Sequence, residues 1–285
     1  MKELVVLSGK GGTGKTVLVA SFATLADSKV MVDCDVDAAD LHLLLHPKVG
    51  EAQEFWGGKT AYIDHTHCTR CELCEQMCNF DAIQHLKVDP IACEGCGFCA
   101  RICPEDTIKM NDNLAGHWFI SDTRYGPLVH ARLGIAEENS GKLVALCRQQ
   151  ARGIAQEGGM DYIISDGPPG IGCPAISSLS GADMALLVTE PTMSGMHDLE
   201  RVLGLCRHFG VPAKVCINKF DINEDNSQSI ERLCGEMGVE VVAMLPFDSA
   251  VTEALVKGMT VVEYAENGIA SAIAAMWHRI EAALA

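Results

Sequence analysis

A glycine-rich octapeptide near the start of the chain, Gly9–Thr16, restricts the possible folds more than any other segment. It follows an apolar run, Leu4–Leu7, that predicts a buried strand, and it precedes Val17–Ala20, where we expect a helix to begin. Its sequence, GKGGTGKT, matches the phosphate-binding pattern GxxxxGK[ST], which requires a strand before it and a helix after it. In such a loop, backbone N–H groups and the positive end of the helix bind phosphate oxygens.

The octapeptide therefore predicts a site for a nucleoside triphosphate. Lys15 is placed for the β- and γ-phosphates, and the Thr16 hydroxyl for Mg²⁺. The other loop residues that we expect to contact phosphate are Gly11, Gly12, Thr13 and Gly14. The general pattern does not require the lysine at position 10, which is a second cation in the loop.

Two later segments place carboxylates after apolar strands. The run that ends at Asp33 predicts a second strand, and four aspartates then lie within eight residues: Asp33, Asp35, Asp37 and Asp40. Carboxylates are costly to bury, so we expect these four to face a cation, water or a hydrolytic site. Cys34 alternates with them and is expected to pack as a small residue on the other face. Tyr162–Asp166 predicts a further strand that ends in an aspartate, placed to hold Mg²⁺ through water.

The order of these segments resembles the P-loop ATPase superfamily of MinD, Mrp, ParA and the nitrogenase iron protein. Asp33–Asp40 is similar to the switch I of that superfamily, and Asp166–Gly170, with the sequence DGPPG, to its switch II. The resemblance implies that the ligand is MgATP and that Lys10 reaches the partner subunit's nucleotide across a dimer. It also implies that Asp35 positions the attacking water, and that Asp40 is a further candidate for the Mg²⁺ shell. Four residues would flank the purine: Asn218, Lys219, Pro246 and Asp248.

Eight of the fourteen cysteines lie in two runs of the form CxxCxxCxxxC. The run from Cys93 repeats the run from Cys68 at an offset of 25 residues. Two such runs are the signature of bacterial two-cluster ferredoxins, in which the fourth cysteine of each run binds the other cluster. The signature predicts one [4Fe–4S] cluster on Cys68, Cys71, Cys74 and Cys103, and a second on Cys93, Cys96, Cys99 and Cys78. Zinc is the alternative, although zinc ribbons normally bring their ligands as two separate pairs.

The first run departs from the usual ferredoxin pattern at two positions. Glu72 stands where glycine often follows the second cysteine, and Asn79 where proline often follows the fourth. We expect both to affect the potential or stability of the cluster built on that run. Outside the two runs, Cys173 follows switch II, and we expect it to be buried or interfacial, with a role as cluster ligand as the alternative.

The formal net charge is −16, from 22 basic and 38 acidic residues, which argues against a nucleic-acid or anionic-membrane surface. No apolar run is long enough to span a membrane or resembles an export signal, so we expect a cytoplasmic protein without membrane insertion. Residues 64–112 carry nine acidic and four basic side chains. Such a surface suits docking to a basic patch on a redox partner, but solubility alone explains it equally well.

Alternating strands and helices predict an α/β fold with a doubly wound, mostly parallel sheet. We expect the ATPase domain to comprise residues 1–58 and 114–285, and a small α+β ferredoxin-like domain to be inserted at residues 59–113. A helix is expected from Asn139–Ser140 to about Gln156. The last helix carries an apolar stripe that should pack on the core: Ile269, Ile273, Met276, Trp277, Ile280 and Leu284.

These parts favour an ATPase whose nucleotide-dependent dimerisation is coupled to the two-cluster module, gating electron transfer or partner assembly. The dimer is a homodimer or a heterodimer with a paralogous ATPase. One alternative is an iron–sulfur carrier ATPase of the Mrp type, and another is a positioning ATPase whose clusters sense redox state. The expected partner beyond the dimer is a redox or client protein.

Overall fold

The computed structural model describes residues 1–134, 140–266 and 268–285, which form two compact units. The first unit contains Met1–Ala52, Trp118–Arg132 and Ser140–Ala285. The second contains Gln53–His117 and Leu133–Asn139. Of the segment Leu133–Asn139, the structure describes residues 133 and 134. The predicted insertion, residues 59–113, lies inside the second unit.

The strands and helices have the following bounds. The strands are β1 (Lys2–Ser8), β2 (Lys29–Asp33), β3 (Gln53–Ile63), β4 (Ile83–Gln84), β5 (Lys87–Val88), β6 (Ile108–Thr123), β7 (Gly126–Leu133), β8 (Tyr162–Pro169), β9 (Met184–Thr189), β10 (Ala213–Asn218) and β11 (Glu240–Leu245). The helices are α1 (Lys15–Leu25), α2 (Leu41–Leu45), α3 (Leu73–Gln76), α4 (Phe98–Ile102), α5 (Ser140–Glu157), α6 (Cys173–Leu179), α7 (Met193–Phe209), α8 (Glu224–Glu236), α9 (Ser249–Val256), α10 (Val261–Tyr264) and α11 (Ile269–Leu284). The residue expected to cap α5, Asn139, lies outside the described residues.

Nine of the described strands form one sheet in the order β11-β10-β9-β1-β8-β2-β7-β6-β3. Every neighbouring pair from β11 to β7 is parallel, which confirms the predicted α/β class with a mostly parallel sheet. The carboxyl ends of parallel strands lie at one edge of a sheet, and ligands of doubly wound proteins bind there. The segments that follow β1, β2, β8, β9, β10 and β11 therefore share that edge.

The sheet of the first unit is buried on both faces. Alternate residues of β1 enter different cores: Leu4 and Val6 join one, and Val5 and Leu7 the other. Two covered faces explain why this strand is a continuous apolar run instead of an alternating one. The apolar stripe of α11 is buried in the first core, as predicted, and Trp277 packs on Phe22 of α1 with ring centroids 5.2 Å apart. None of the described helices combines the length and the apolarity needed to cross a bilayer.

An ion-pair network centred on the buried Glu3–Arg148 pair joins β1, α5 and α6. The Glu3 carboxylate accepts a hydrogen bond of 2.6 Å from Arg148 Nε and another of 2.6 Å from Arg152 Nη2. Arg148 also donates through Nη1 to the carbonyl oxygens of Ser177 and Ser180, at the end of α6. Because α6 comes soon after Asp166–Gly170 in the sequence, this network fixes the C-terminal end of the helix that follows that segment.

The second unit has a small core of its own. Its buried apolar side chains come from β3, β4 and β6 and include Ala61, Ile63, Ile83 and Ile108. Six of the cysteines of the two runs pack in or against this core: Cys68, Cys74, Cys78, Cys93, Cys99 and Cys103. The short antiparallel pair β4–β5 lies between the two runs in the sequence. A core this small gains stability when a metal group joins its parts.

Candidate nucleotide site and cysteine cavities

The loop between β1 and α1 has the backbone of a phosphate-binding loop. Gly12 and Gly14 adopt positive φ angles of 80° and 90°. Asn218 Nδ2 donates a hydrogen bond of 2.8 Å to the Thr13 carbonyl oxygen, and a Cβ at position 14 would lie 2.5 Å from that amide nitrogen. Glycine is therefore required at position 14. The Thr13 hydroxyl is buried and has no hydrogen-bond partner within the described residues, which leaves it free to bind a phosphate oxygen.

A cavity of about 770 Å³ lies at the carboxyl edge of the sheet in the first unit. Twelve of the residues expected to bind or act on the nucleotide line it: Gly11, Gly12, Thr13, Gly14, Lys15, Thr16, Asp35, Asp40, Asn218, Lys219, Pro246 and Asp248. They come from four separate segments of the chain, which the parallel strands bring to one place. Lys10 and Asp166 are not among the lining residues.

Lys15 and Asp166 form a buried ion pair beside this cavity. Lys15 Nζ lies 2.6 Å from Asp166 Oδ1, and the two side chains are only 6% and 2% exposed. Burial alone would lower the pKa of Lys15, but the Asp166 carboxylate, with the charges of Asp35 and Asp33, more than offsets it, and the pKa lies above its ordinary value. Lys15 therefore stays protonated, as a residue that binds phosphate must.

The four aspartates after β2 do not share one role. Asp33 is fully buried, and its carboxylate accepts hydrogen bonds from the backbone N–H groups of Leu41, at 3.1 Å, and Asp35, at 3.2 Å. Burial, and then the charge of Asp166, raise the pKa of Asp33 well above its ordinary value. Of the surroundings expected for these carboxylates, which were a cation, water or a hydrolytic site, water is wrong for Asp33, which instead holds the backbone between residues 35 and 41 in place. Cys34 is buried, as predicted.

Asp35, Asp37 and Asp40 line the cavity. Burial raises the pKa of Asp35 from 3.8 to about 6, although the nearby Lys15 opposes this shift. A partly desolvated carboxylate with a pKa near neutrality is a suitable acceptor for a proton or for a hydrogen bond from water.

Replacement of Asp35 by asparagine should stabilise the protein in the absence of nucleotide. The pKa of this carboxyl is higher in the folded protein than in the unfolded chain, so its contribution to stability falls as the pH rises through about 6. Asp35→Asn removes that cost, and its melting temperature at pH 8 should exceed that of the wild type. The difference should shrink at pH 5, where the wild-type carboxyl is largely protonated. A gain that does not change between the two pH values would contradict this explanation.

Lys10 contacts residues that the sequence analysis did not identify. Its ammonium group lies 3.1 Å from Thr192 Oγ1, 3.5 Å from Ser194 Oγ and 3.6 Å from Glu190 Oε2. Glu190 also binds Lys219, through a contact of 2.5 Å. These partners lie between the end of β9 and the first turn of α7. Their position after the carboxyl end of a buried strand could have identified them as site residues from the sequence.

The segment after β11 has a structural role beside its predicted one. The Asp248 carboxylate accepts a hydrogen bond of 2.8 Å from the Ala250 N–H and so caps α9. Asp221 Oδ1 accepts a hydrogen bond of 2.7 Å from the Phe247 N–H and so holds the backbone just before Asp248. Phe247 lines the cavity and is an aromatic residue that the sequence analysis missed.

Each set of four cysteines predicted to bind one cluster lines one cavity in the second unit. One cavity is lined by Cys68, Cys71, Cys74 and Cys103, and the other by Cys78, Cys93, Cys96 and Cys99. The fourth cysteine of each run thus lies with the first three of the other run. None of these eight thiols forms a disulfide.

The two cysteine runs also repeat each other in backbone conformation. Three pairs of residues related by the 25-residue offset have matching positive φ angles: Arg70 and Gly95 (58° and 62°), Glu72 and Gly97 (60° and 70°), and Asp81 and Asp106 (51° and 51°). Turns of this handedness direct successive N–H groups into one concavity, and such concavities bind anions and Fe–S clusters. The repeat seen in the sequence is therefore a repeat in structure.

Among the described residues, no three His, Cys, Asp or Glu side chains converge on the position of a single metal ion. A [4Fe–4S] cluster makes a different demand on the protein. Each of its four irons takes one cysteine sulfur, so the four thiolates surround a larger body than one ion. Each of the two cavities is lined by four cysteines, the number of thiolates that one such cluster takes.

Glu72 should be a source of instability in the first cysteine loop. A left-handed backbone costs a residue with a side chain about 1–2 kcal/mol, and Glu72 takes this conformation with φ 60°. Glu72→Gly should therefore raise the free energy of unfolding of the second unit by about 0.5–1 kcal/mol, measured by urea denaturation under anaerobic conditions.

Gly97→Glu is the matched control, because Gly97 occupies the corresponding position and a Cβ there would meet no atom closer than 3.9 Å. It should lower the stability by a similar amount. Equal stability of both variants and the wild type would show that the left-handed backbone is not the cause.

The six cysteines outside the two runs differ in exposure. Cys34, Cys147, Cys206, Cys216 and Cys234 are buried, whereas Cys173 is exposed. The expectation that Cys173 is buried is wrong, because it occupies the first position of the short helix α6 and does not enter the core. An interfacial position and a role as ligand remain predictions.

Known proteins resemble this chain over most of its length. An uncharacterised protein of Methanocaldococcus jannaschii is 32% identical over 227 residues, which cover 79% of this chain and 80% of that protein. An iron–sulfur cluster carrier protein of Pyrococcus abyssi is 24% identical over 288 residues, covering 95% and 82%. The septum site-determining protein MinD of Pyrococcus horikoshii, solved with Mg-ADP, superimposes with a TM-score of 0.60 at 18% identity, over 98% of this chain and 96% of that one.

The likeness to MinD shows the fold alone, at this level of identity. The family assignment rests on a separate match, to a model of the family's sequences. Residues 4–261 match the model of the CobQ/CobB/MinD/ParA nucleotide-binding domain, a span that starts in β1 and ends at the first residue of α10. The chain therefore belongs to the CobQ/CobB/MinD/ParA family of nucleotide-binding domains and has the α/β fold of the MinD-like P-loop ATPases.

Proposed function

We propose that this protein is an ATPase in which nucleotide-dependent dimerisation gates electron transfer through two [4Fe–4S] clusters held by the second unit. The observation that carries the proposal is the sorting of the eight cysteines. Two cavities each contain one complete ligand set, in the same chain as a phosphate-binding loop. When bound, such clusters supply one-electron carriers with potentials between roughly −700 and +450 mV.

The nucleotide half of the proposal is supported by the 770 Å³ cavity and by the family assignment. ATP binds with its phosphates on Gly11–Thr16, and Lys15 exchanges the Asp166 carboxylate for phosphate oxygens. The Thr16 hydroxyl and Asp166 hold Mg²⁺, with Asp40 as a further candidate. Asp35 orients the water that attacks the γ-phosphorus, and ADP leaves. Lys10 acts on the nucleotide of the partner subunit, which is a second copy of this chain or a paralogous ATPase.

The two halves are coupled through the chain itself. The switch I segment after β2 precedes the second unit in the sequence, and the switch II segment in β8 follows it. Loss of the γ-phosphate relaxes both switches, so the conformation of the second unit or its access to a redox partner should depend on the nucleotide.

An iron–sulfur carrier is the second candidate, because the Pyrococcus abyssi relative bears that name. A carrier needs thiols that can release a cluster to a client. Outside the two runs, Cys173 is the one exposed cysteine in the described part of the chain, and it has no second exposed cysteine nearby in the sequence. Six of the eight cysteines in the two runs pack in or against a small core with Ile63, Ile83 and Ile108, which suits permanent retention better than transfer.

One experiment separates these functions. The protein is purified without oxygen, reduced with dithionite, and mixed with MgATP and either a one-electron acceptor or an apo-protein that accepts [4Fe–4S] clusters. A gated electron carrier should lose electrons but keep its iron. Loss of iron to the apo-protein would instead establish the carrier, and ATPase activity that proceeds with neither change would favour a positioning ATPase.

A further inference from the structure

The second cysteine cavity is surrounded by exposed apolar side chains. Met77, Phe80 and Phe98 are 46%, 46% and 43% exposed, and all three line the cavity that contains Cys78, Cys93, Cys96 and Cys99. We call these three side chains the apolar collar. Two aromatic rings and a methionine held partly in water are unfavourable in the isolated protein unless a partner covers them.

The first cysteine cavity has no such collar. Of its lining residues, only Leu73 is an exposed large apolar side chain, at 38%, and Glu72 and Glu105 contribute carboxylates to the same wall. The two cavities are related by the internal repeat, so their difference is not a consequence of the fold. It distinguishes one cluster position as the place where another protein can approach.

The charge around the collar is negative. Glu94 lines the same cavity and is exposed, Asp81 directly follows Phe80 and is exposed, and residues 64–112 carry a net charge of −5. Thiolate-bound clusters would make this surface more negative still. An apolar centre with an acidic rim is complementary to a surface that has an apolar centre and a basic rim.

We propose that the apolar collar is the docking surface for a basic redox protein and that electrons leave this chain at the cluster of Cys93, Cys96, Cys99 and Cys78. This inference rests on the proposed function and adds the exit cluster and the chemistry of the partner. One electron passes to a one-electron acceptor in the partner: this chain is oxidised, the partner is reduced, and no atom or proton is transferred. Electron-transfer complexes are small and transient, which suits a patch of three side chains.

The charges also exclude two other occupants. A two-fold interface uses the same surface patch on both subunits. A second copy of this chain that docked through the collar would therefore bring two acidic rims together. A membrane with anionic lipids would repel the same surface. A basic protein is the occupant for which both the apolar and the charged part of the surface are complementary.

The proposal is tested with cytochrome c as the probe, since its exposed haem edge is surrounded by lysines. The test variant is Phe80→Ser/Phe98→Ser, and the matched control is Leu73→Ser, which removes an exposed apolar side chain at the other cavity. Calorimetry at low salt gives the affinity for the probe, and stopped-flow absorbance gives the rate of its reduction by the dithionite-reduced chain. The double variant should lose about tenfold in both quantities, and the control should stay within about twofold of the wild type.

Two further measurements keep the result interpretable. Iron content and the rate of reduction of ferricyanide, a small acceptor, should be unchanged in the double variant, which shows that the clusters are intact. Glu94→Lys should weaken binding of the probe and flatten its salt dependence without touching the collar. Wild-type binding by the double variant would overturn the proposal. So would a loss of nucleotide-dependent dimerisation in that variant with unchanged binding of the probe, because the surface would then be a contact between copies.

If the proposed function itself is wrong, the measurements give a different result. A chain that carries no iron would show no electron transfer in any variant. The calorimetric affinity for cytochrome c would still report whether the collar and its acidic rim bind a basic protein.

Discussion

Lys10→Ala should bind ATP with nearly wild-type affinity and hydrolyse it at least about a hundred times more slowly, since cations supplied across an interface contribute 10³–10⁵ to such reactions. The reason lies in where the two lysines of the loop point. Lys15 is buried beside the nucleotide cavity, whereas Lys10 is not among the residues that line it. The Lys10 side chain is 31% exposed, and its contacts are with Thr192, Ser194 and the Glu190 carboxylate near the surface. We expect it to exchange these contacts for the phosphates of a nucleotide on another subunit. Binding is measured with a fluorescent ATP analogue and turnover by phosphate release.

Mixing two inactive variants shows whether Lys10 acts across the dimer. Lys10→Ala and Asp35→Asn should each be inactive, yet both keep the ATP-binding loop. In a mixed dimer, the nucleotide on the Lys10→Ala subunit has an intact Asp35 and receives Lys10 from its partner, so one of two sites is complete. An equal mixture should therefore recover about a quarter of wild-type turnover, because half of the dimers are mixed. No recovery in a mixture that forms dimers would mean that Lys10 acts on the nucleotide of its own subunit.

Removing the fourth cysteine of either run should remove the cluster of the other run and half of the iron. Cys103 lines the cavity of Cys68, Cys71 and Cys74, and Cys78 lines that of the second run. A [4Fe–4S] cluster that loses one of its four thiolate ligands is held far more weakly, so each single serine variant should retain one cluster. Iron and sulfide analysis of anaerobically purified protein measures the loss.

Double variants test the crossed pairing itself. Cys71→Ser/Cys103→Ser damages one ligand set twice and should still retain half of the iron, whereas Cys71→Ser/Cys78→Ser damages both sets and should retain almost none. Cys234→Ser, a buried cysteine outside the two runs, is the control and should retain all of the iron. The reverse result for the two double variants would show that each run binds its own cluster.

The parts of this structure that the sequence predicted are those fixed by local patterns. The loop at Gly9–Thr16 needs a strand before it and a helix after it, and β1 and α1 are found there. Parallel strands then bring Asp35, Asn218 and Pro246 to the same edge, because the carboxyl ends of such strands share one edge. The crossed sorting of the cysteines is likewise what the resemblance of the two runs to two-cluster ferredoxins implies.

The parts that the sequence did not predict depend on long-range packing. Lys10 and Thr192 are 182 positions apart, and no local pattern links them. Spacing placed Asp33 and Asp35 on one face of an extended segment, but only the packed structure shows that Asp33 is buried as a backbone acceptor while Asp35 lines the cavity. The apolar collar could not be predicted from the sequence either. The sequence shows that Phe80 and Phe98 are aromatic, but only the structure shows that both are exposed beside one cavity.

The central claim is that the nucleotide state of the first unit changes the redox behaviour of the second. The most direct test is the rate at which a fixed concentration of cytochrome c oxidises the dithionite-reduced, iron-loaded protein, compared in MgATP, in MgADP and without nucleotide. The account predicts that the rate in MgATP differs from the other two by severalfold or more, and that Lys15→Ala, which cannot hold the nucleotide, removes the difference. Rates that are the same in all three conditions for an iron-loaded protein that hydrolyses ATP would contradict the coupling of the two units.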